Sequence, residues 1–198
     1  MLVVNDSGKD NNIFISSADR ENSNFTINFN GNGNTVTIGE GTSFTNASFS
    51  LGNNNSIEIG KGCTLNKLEV FAQSNASIIL GNFINSTWHA RVYAHEKGTI
   101  EIGSGSLIAS GVLVTVSDMH SIIDIATNKR INPAENIYIS ERVWLAEGVK
   151  VMGGATIGED SVVGAGGIVT GTLPRQSVCV GVPARPVKTG IRWTIELI

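Results

Sequence analysis

From residue 139 onward the aliphatic positions recur every six residues, at Ile139, Leu145, Val151, Ile157, Val163 and Val169. Small residues follow several of them, among them Ala146, Gly158 and Gly164. Neither the 3.6-residue period of a helix nor the two-residue alternation of a strand gives that spacing. A parallel β-solenoid of triangular section does: each flat face takes six residues, one aliphatic side chain per face points at the axis, and a small residue is wanted at each corner. Upstream the same signal returns at a longer interval, in Val36-Thr37-Ile38-Gly39, Ile57-Glu58-Ile59-Gly60, Ile78-Ile79-Leu80-Gly81 and Ile100-Glu101-Ile102-Gly103. Each of these repeats is about one 18-residue coil with a few residues of slack at a corner. The fold predicted is all-β, a triangular parallel solenoid.

The stretch between Ile102 and Ile139 has room for about two plain coils, yet residues 120–136 lack face periodicity and end in Asn132-Pro133-Ala134. This segment reads as a loop thrown out of the solenoid, and loops inserted into repeat arrays usually carry function. In residues 1–35, Asn22, Asn24, Asn28, Asn30, Asn32 and Asn34 alternate with apolar Phe25, Ile27 and Phe29, which argues for a strand in a coil capping the open end. The body of the solenoid is then 36–182, and 183–198 forms a short C-terminal segment, a helix or strand lying across the last coil.

Composition narrows the class. The chain of 198 residues is 41% hydrophobic but only 6% aromatic, with 23 glycines, which suits a thin core of Ile, Val and Leu. Its net charge of -3 and the lack of a basic run give no reason to expect nucleic acid. The opening MLVVNDSGKD has no basic start followed by an apolar run, and no window approaches a membrane span, so a cytoplasmic protein without membrane insertion is expected. Cys63 and Cys179 are read as free thiols, with Cys63 at a place where small core residues are wanted.

Chemistry must come from few groups, for there are only three histidines. His120 sits at the base of the loop after Ser117-Asp118-Met119. In an extended segment Asp118 and His120 project from the same side, where a carboxylate would hold the imidazole's tautomer and favour proton uptake. A zinc site is the other use of three histidines. Solenoid carbonic anhydrases need a far spacing followed by a near one, whereas here His89 and His95 come first and His120 follows, so no metal is expected.

The run from Ile139 to Thr170, with Val143-Trp144-Leu145-Ala146-Glu147-Gly148, Gly153-Gly154-Ala155-Thr156-Ile157-Gly158 and Val163-Gly164-Ala165-Gly166-Gly167-Ile168, then Pro174 and Gly181-Val182-Pro183-Ala184-Arg185-Pro186, resembles the hexapeptide-repeat O-acetyltransferases. The likeness covers about residues 99–193 and points to the branch of galactoside, maltose and surface-polysaccharide acetyltransferases, sialic acid capsule enzymes included. The resemblance implies a left-handed β-helix, acetyl-CoA as co-substrate, a carbohydrate acceptor, and a homotrimer with active sites between subunits. It also implies His120 as general base, Trp144 lining the acetyl-CoA channel, and CoA contacts at Glu147, Ala165, Thr170, Gly171, Arg185 and Lys188.

The chemistry is coherent with those roles. An imidazole can take the proton of a sugar hydroxyl as it attacks a thioester carbonyl, with no nucleophilic Ser or Cys required. Small residues such as Ala165 and Gly166 let a pantetheine arm lie against the wall, and Arg185 and Lys188 offer cations to phosphates.

The sequence also departs from the family's pattern. Ser140 and Ala146 replace the usual corner glycines, and Gly171 stands where a lysine is frequent. An asparagine near the reaction centre of the galactoside branch corresponds to His89, inside Trp88-His89-Ala90-Arg91-Val92-Tyr93. His89, with Arg91 or Tyr93, is therefore expected to recognise the acceptor, and an arginine there suits an acidic sugar. The sequence also admits an N-acetyltransferase of a nucleotide-linked amino sugar, a γ-type carbonic anhydrase, and a catalytically silent scaffold.

Overall fold

The computed structural model describes residues 1–198, apart from the side chain of Asn22. Parallel coils stack into a left-handed, three-faced solenoid of about eight turns. The first face is built from Thr64–Asn66, Asn85–Ser86, Leu107–Ile108, Trp144–Leu145, Val162–Val163 and Ser177–Gly181. The second is built from Glu69–Ser74, Arg91–Ala94, Leu113–Thr115, Lys150–Met152 and Ile168–Val169. The long strand Ser43–Asn53 runs through the corner between them and pairs with both Thr64–Asn66 and Glu69–Ser74, merging the two faces into one 15-stranded sheet. The third face is an 8-stranded sheet running from Asn12–Phe14 to Thr172–Leu173.

Inward side chains stack in register because every coil offers the same period. Ile57 pairs with Ile78, Ile78 with Ile100, and Ile100 with Ile137. Ile139, Leu145, Val151, Ile157, Val163 and Val169 are all buried, which accounts for the six-residue period of the sequence. The early coils advance 21 residues from Ile57 to Ile78, whereas the later ones advance 18 from Ile139 to Ile157. The extra girth is filled by aromatics: Phe25 stacks on Phe44 with ring centroids 4.3 Å apart, and Phe49 meets both edge-on. The glycines at 39, 60, 81 and 103 mark a corner where coils approach closely. A Cβ on Gly39 would lie 2.5 Å from the Lys61 backbone nitrogen, and one on Gly103 2.5 Å from that of Glu141.

Two polar ladders run through the interior. Asn11, Asn34 and Asn55 stack at one corner: Asn34 Oδ1 accepts from both the backbone N–H (3.0 Å) and the side-chain amide (2.9 Å) of Asn55, and Asn55 Oδ1 accepts from Ala76 N–H at 3.0 Å. At another corner Thr42 Oγ1 accepts from Cys63 N–H, Cys63 Sγ from Ile84 N–H, and Ser106 Oγ from Val143 N–H. Each of these side chains satisfies a buried amide that the turning backbone cannot pair itself. Cys63 thus serves as one rung of that ladder, and burial pushes its thiol pKa up.

The ends differ in detail from expectation. Residues 1–35 form a coil that includes the strand Asn24–Phe29 as read from its alternation, and also a short helix, Ser17–Asn22, capped by Ser16 Oγ accepting from Asp19 N–H. At the C-terminus, Ala184–Thr189 folds back antiparallel on Ser177–Gly181. The tail beyond it is neither helix nor strand and reaches back past the last coil: Trp193 Nε1 donates to the Arg142 carbonyl. Among the described residues no helix is long and apolar enough to cross a membrane.

Candidate active site

Residues 117–136 leave the solenoid where the second face ends and return to start the third face at Ile137–Ile139, with a small antiparallel ribbon, Ile123–Asp124 against Lys129–Arg130, at the tip. The loop is clamped to the body by ion pairing. Arg130 donates to both carboxylate oxygens of Glu96 at 2.6 Å, and Ser117 Oγ donates to the same carboxylate. With Arg130 first and Ser117 second as causes, Glu96 is pulled down to a pKa of about 2.

His120 is exposed and its backbone is pinned. Asn132 Nδ2 donates to the His120 carbonyl at 2.8 Å and to Asp118 Oδ2 at 3.0 Å, while Asn132 Oδ1 accepts from Ile122 N–H at 2.7 Å. Met119 N–H is held by Ser117 Oγ at 2.9 Å. The expected Asp118–His120 pair is not formed. Met119 has φ 68, so the segment is not extended and the two side chains lose their common side; the Asp118 carboxylate is taken by Asn132 instead. Asp118 and Thr170 share a groove with Ser117, Asn132, Glu135 and Met152. Glu96, Arg130 and Asn132 were invisible to motif reasoning, since each acts through a partner far away in sequence.

The other expected residues lie elsewhere on the triangle. Trp144 faces outward from the first face, in the column that continues through Val162 and Val178 to Lys188. Three strand spacings put Lys188 about 14 Å along that column. Arg185 lies on the same hairpin, in register with Val180. Ala165 and Gly166 are exposed at the corner between the first and second faces, where Gly166 N–H donates to the Glu147 carbonyl at 2.8 Å. A Cβ on Gly166 or on Gly171 would meet nothing within 4 Å, so the wall is open at both positions. Among the described residues neither Arg185 nor Lys188 forms an ion pair, which leaves both cations available to a phosphate. Trp144 is partly covered by Trp193, at 6.0 Å between ring centroids.

His89 sits on that same first-to-second corner with φ 50, exposed, its carbonyl accepting from Gly111 N–H. Arg91 and Tyr93 face outward on the adjacent second face, in register with Glu69 and Phe71. Tyr93 is packed edge-on against both Phe71 and His95, and burial, then Glu69, pushes its phenol up to about 12. Burial likewise lowers the His95 pKa. The Arg91 Nε is buried without a hydrogen-bond partner. No three His, Cys, Asp or Glu side chains are gathered as a metal-binding group among the described residues.

The expected site residues therefore fall into two groups on one chain. His120, Asp118, Thr170 and Gly171 belong to the corner between the second and third faces. Trp144, Glu147, Ala165, Gly166, Arg185 and Lys188 belong to the first face and its corner with the second. In a triangular prism a face lies opposite the corner of the other two.

A triangular solenoid with one loop thrown out at the end of its second face and a short closing hairpin has the architecture of the hexapeptide-repeat acyltransferases. No family model matches the chain. It is 32% identical over 98 residues to a polysialic acid O-acetyltransferase of Escherichia coli O1:K1 / APEC, a match covering 50% of this chain and 32% of that protein. The match thus spans about a third of the length of this curated relative. The crystal structure of the polySia-specific acetyltransferase NeuO superposes with a TM-score of 0.85 and 30% identity, covering 98% of this chain and 89% of that one. The polysialic acid O-acetyltransferase OatWY gives 0.88 at 26% identity over 100% and 93%. The chain belongs to the hexapeptide-repeat O-acetyltransferase family, in the branch that holds these polysialic acid O-acetyltransferases.

Proposed function

We propose that this chain is an acetyl-CoA-dependent O-acetyltransferase that modifies a hydroxyl of an acidic, sialic-acid-type bacterial surface glycan. The observation that carries the reading is the loop geometry: an exposed imidazole on an extruded loop whose backbone is pinned by Asn132 and whose stem is clamped by Arg130 on Glu96. His120 takes the proton of the acceptor hydroxyl while its oxygen attacks the thioester carbonyl, and returns that proton to the departing thiolate. Acetyl-CoA supplies the activated acyl group. Ala165 and Gly166 offer an unobstructed wall for its pantetheine arm, and Arg185 and Lys188 pair with its phosphates.

The acceptor is recognised by His89, Arg91 and Tyr93. The separation of the two groups on one prism supports a homotrimer, in which the His120 corner of one copy closes against the Trp144 face of the next. Asp118 shapes the loop through Asn132 rather than orienting the imidazole.

The test is CoA release from acetyl-CoA across a panel of neutral sugars and sialic acid oligomers, with His120→Ala alongside. Release that requires the acidic acceptor and falls by about 10²- to 10⁴-fold in the variant is expected. Release that is independent of acceptor, or undiminished in His120→Ala, overturns the assignment.

A further inference from the structure

The corner between the first and second faces carries a feature that neither the core nor the proposed reaction uses. Lys67 and His89 occupy equivalent turn positions on successive coils, at φ 46 and φ 50, so their side chains are thrown outward about 4.8 Å apart along the solenoid. Trp88 precedes His89 and stays 47% exposed. The Lys67 Nζ lies over its ring, 4.2 Å from the centroid. Lys67, His89 and Arg91 are in no ion pair among the described residues, and Glu69, in register with Arg91, is the carboxylate on that stretch of the second face. The cations of Lys67 and Arg91 thus lie close together here on a chain whose net charge is -3.

We propose that Lys67 and Trp88 form a second subsite for a carboxylate-bearing polysaccharide, holding the sugar next to the one at His89. The ammonium on one face of the indole pairs with the sugar carboxylate. The indole's free surface packs on the apolar C–H face of the ring, as aromatic side chains do where one side is dry and the other wet. Successive corners extend the site from His89 toward the N-terminal coils, so the occupant is a chain of acidic sugars rather than a single one. The inference rests on the acidic-glycan reading given above, but it concerns binding and not transfer.

The experiment is calorimetric binding of a sialic acid oligomer to the full chain without acetyl-CoA, with a dextran of equal length as the neutral comparison. Trp88→Ala and Lys67→Met are each expected to weaken binding about tenfold. Lys9→Met, which removes an exposed cation from an early turn, should leave it unchanged. Circular dichroism of each variant establishes that the coils are intact. Unchanged binding in both variants, equal weakening in Lys9→Met, or equally tight binding of dextran overturns the subsite. Binding lost as expected in a chain that acetylates nothing upholds the subsite and sinks the proposed reaction; acetylation with binding untouched by both variants does the reverse.

Discussion

Replacing Asn132 by alanine tests the proposed role of the loop in holding His120. The side chain makes four hydrogen bonds: to the His120 carbonyl at 2.8 Å, to Asp118 Oδ2 at 3.0 Å, from Ile122 N–H at 2.7 Å and from Arg130 Nε at 3.3 Å. At about 0.5–1.5 kcal/mol net each, they order the loop by about 2–6 kcal/mol in all. If half of that holds His120 in place, kcat falls about 5- to 140-fold in Asn132→Ala, at about 1.4 kcal/mol per tenfold. The KM for acetyl-CoA should move less than kcat, because Trp144 and the hairpin cations lie on another face and only Thr170 of the expected CoA contacts borders the groove with Asn132. Global stability should also hold. No fully buried core residue lies between Val116 and Ile137, so the loop opens locally without unfolding the coils, and the melting midpoint stays within about 2 °C. Asn132→Asp keeps the acceptor for Ile122 but sets an oxygen against the Asp118 carboxylate and the His120 carbonyl, so its loss should be at least as large. Steady-state CoA release supplies kcat and KM, and amide exchange at Met119–Ile122 reports the loop. Turnover above half of wild type in both variants would refute the positioning role, as would loss confined to KM or a melting midpoint that falls together with the activity.

Two further outcomes test the body and the clamp. Asn55→Leu orphans the buried Ala76 N–H and removes a donor from the Ala72 carbonyl, costing about 2–4 kcal/mol and lowering the melting midpoint by about 4–16 °C. Exposed Asn24→Ala, which loses only its bond to Asn46, should change stability by less than about 0.5 kcal/mol, and equal midpoints for the two variants would contradict the ladder. Arg130 and Ser117 depress the Glu96 pKa from 4.5 to about 2, so the clamp is complete above about pH 4.5 and is lost as pH falls toward 2. Carboxyl resonances of labelled glutamate should show one group titrating near 2 that returns toward 4.5 in Arg130→Met. A midpoint unmoved by that variant removes Arg130 as the cause. Any acid-side fall in turnover between pH 7 and 5 then arises outside the clamp.

The architecture was legible because a solenoid repeats its physics. The inward positions at 139, 145, 151 and onward had to be aliphatic and the tight corners at 39, 60, 81 and 103 had to be glycine, so periodicity alone revealed the faces and, by its interruption, the loop. The geometry of the candidate site was legible only in part. His120 stood out by its place at the loop base, but its relation to Asp118 was misread, because the positive φ of Met119 leaves no mark on hydrophobic pattern. The asparagines of the first coils read as strand alternation, while Asn34 and Asn55 form a buried ladder that needs the coil-to-coil register to be recognised.

The sequence by itself determined what is local and periodic: the face length, the core composition, the corners, and where the chain leaves the coil. Only the tertiary structure decided what depends on stacking and on the sides of a prism. Glu96 meets Arg130, Lys67 meets Trp88, and Trp193 returns to Trp144 across separations that no spacing rule encodes. Whether two residues lie on one face or on opposite sides is set by how each coil closes, since a slip of one residue at any corner would turn every following side chain from core to solvent.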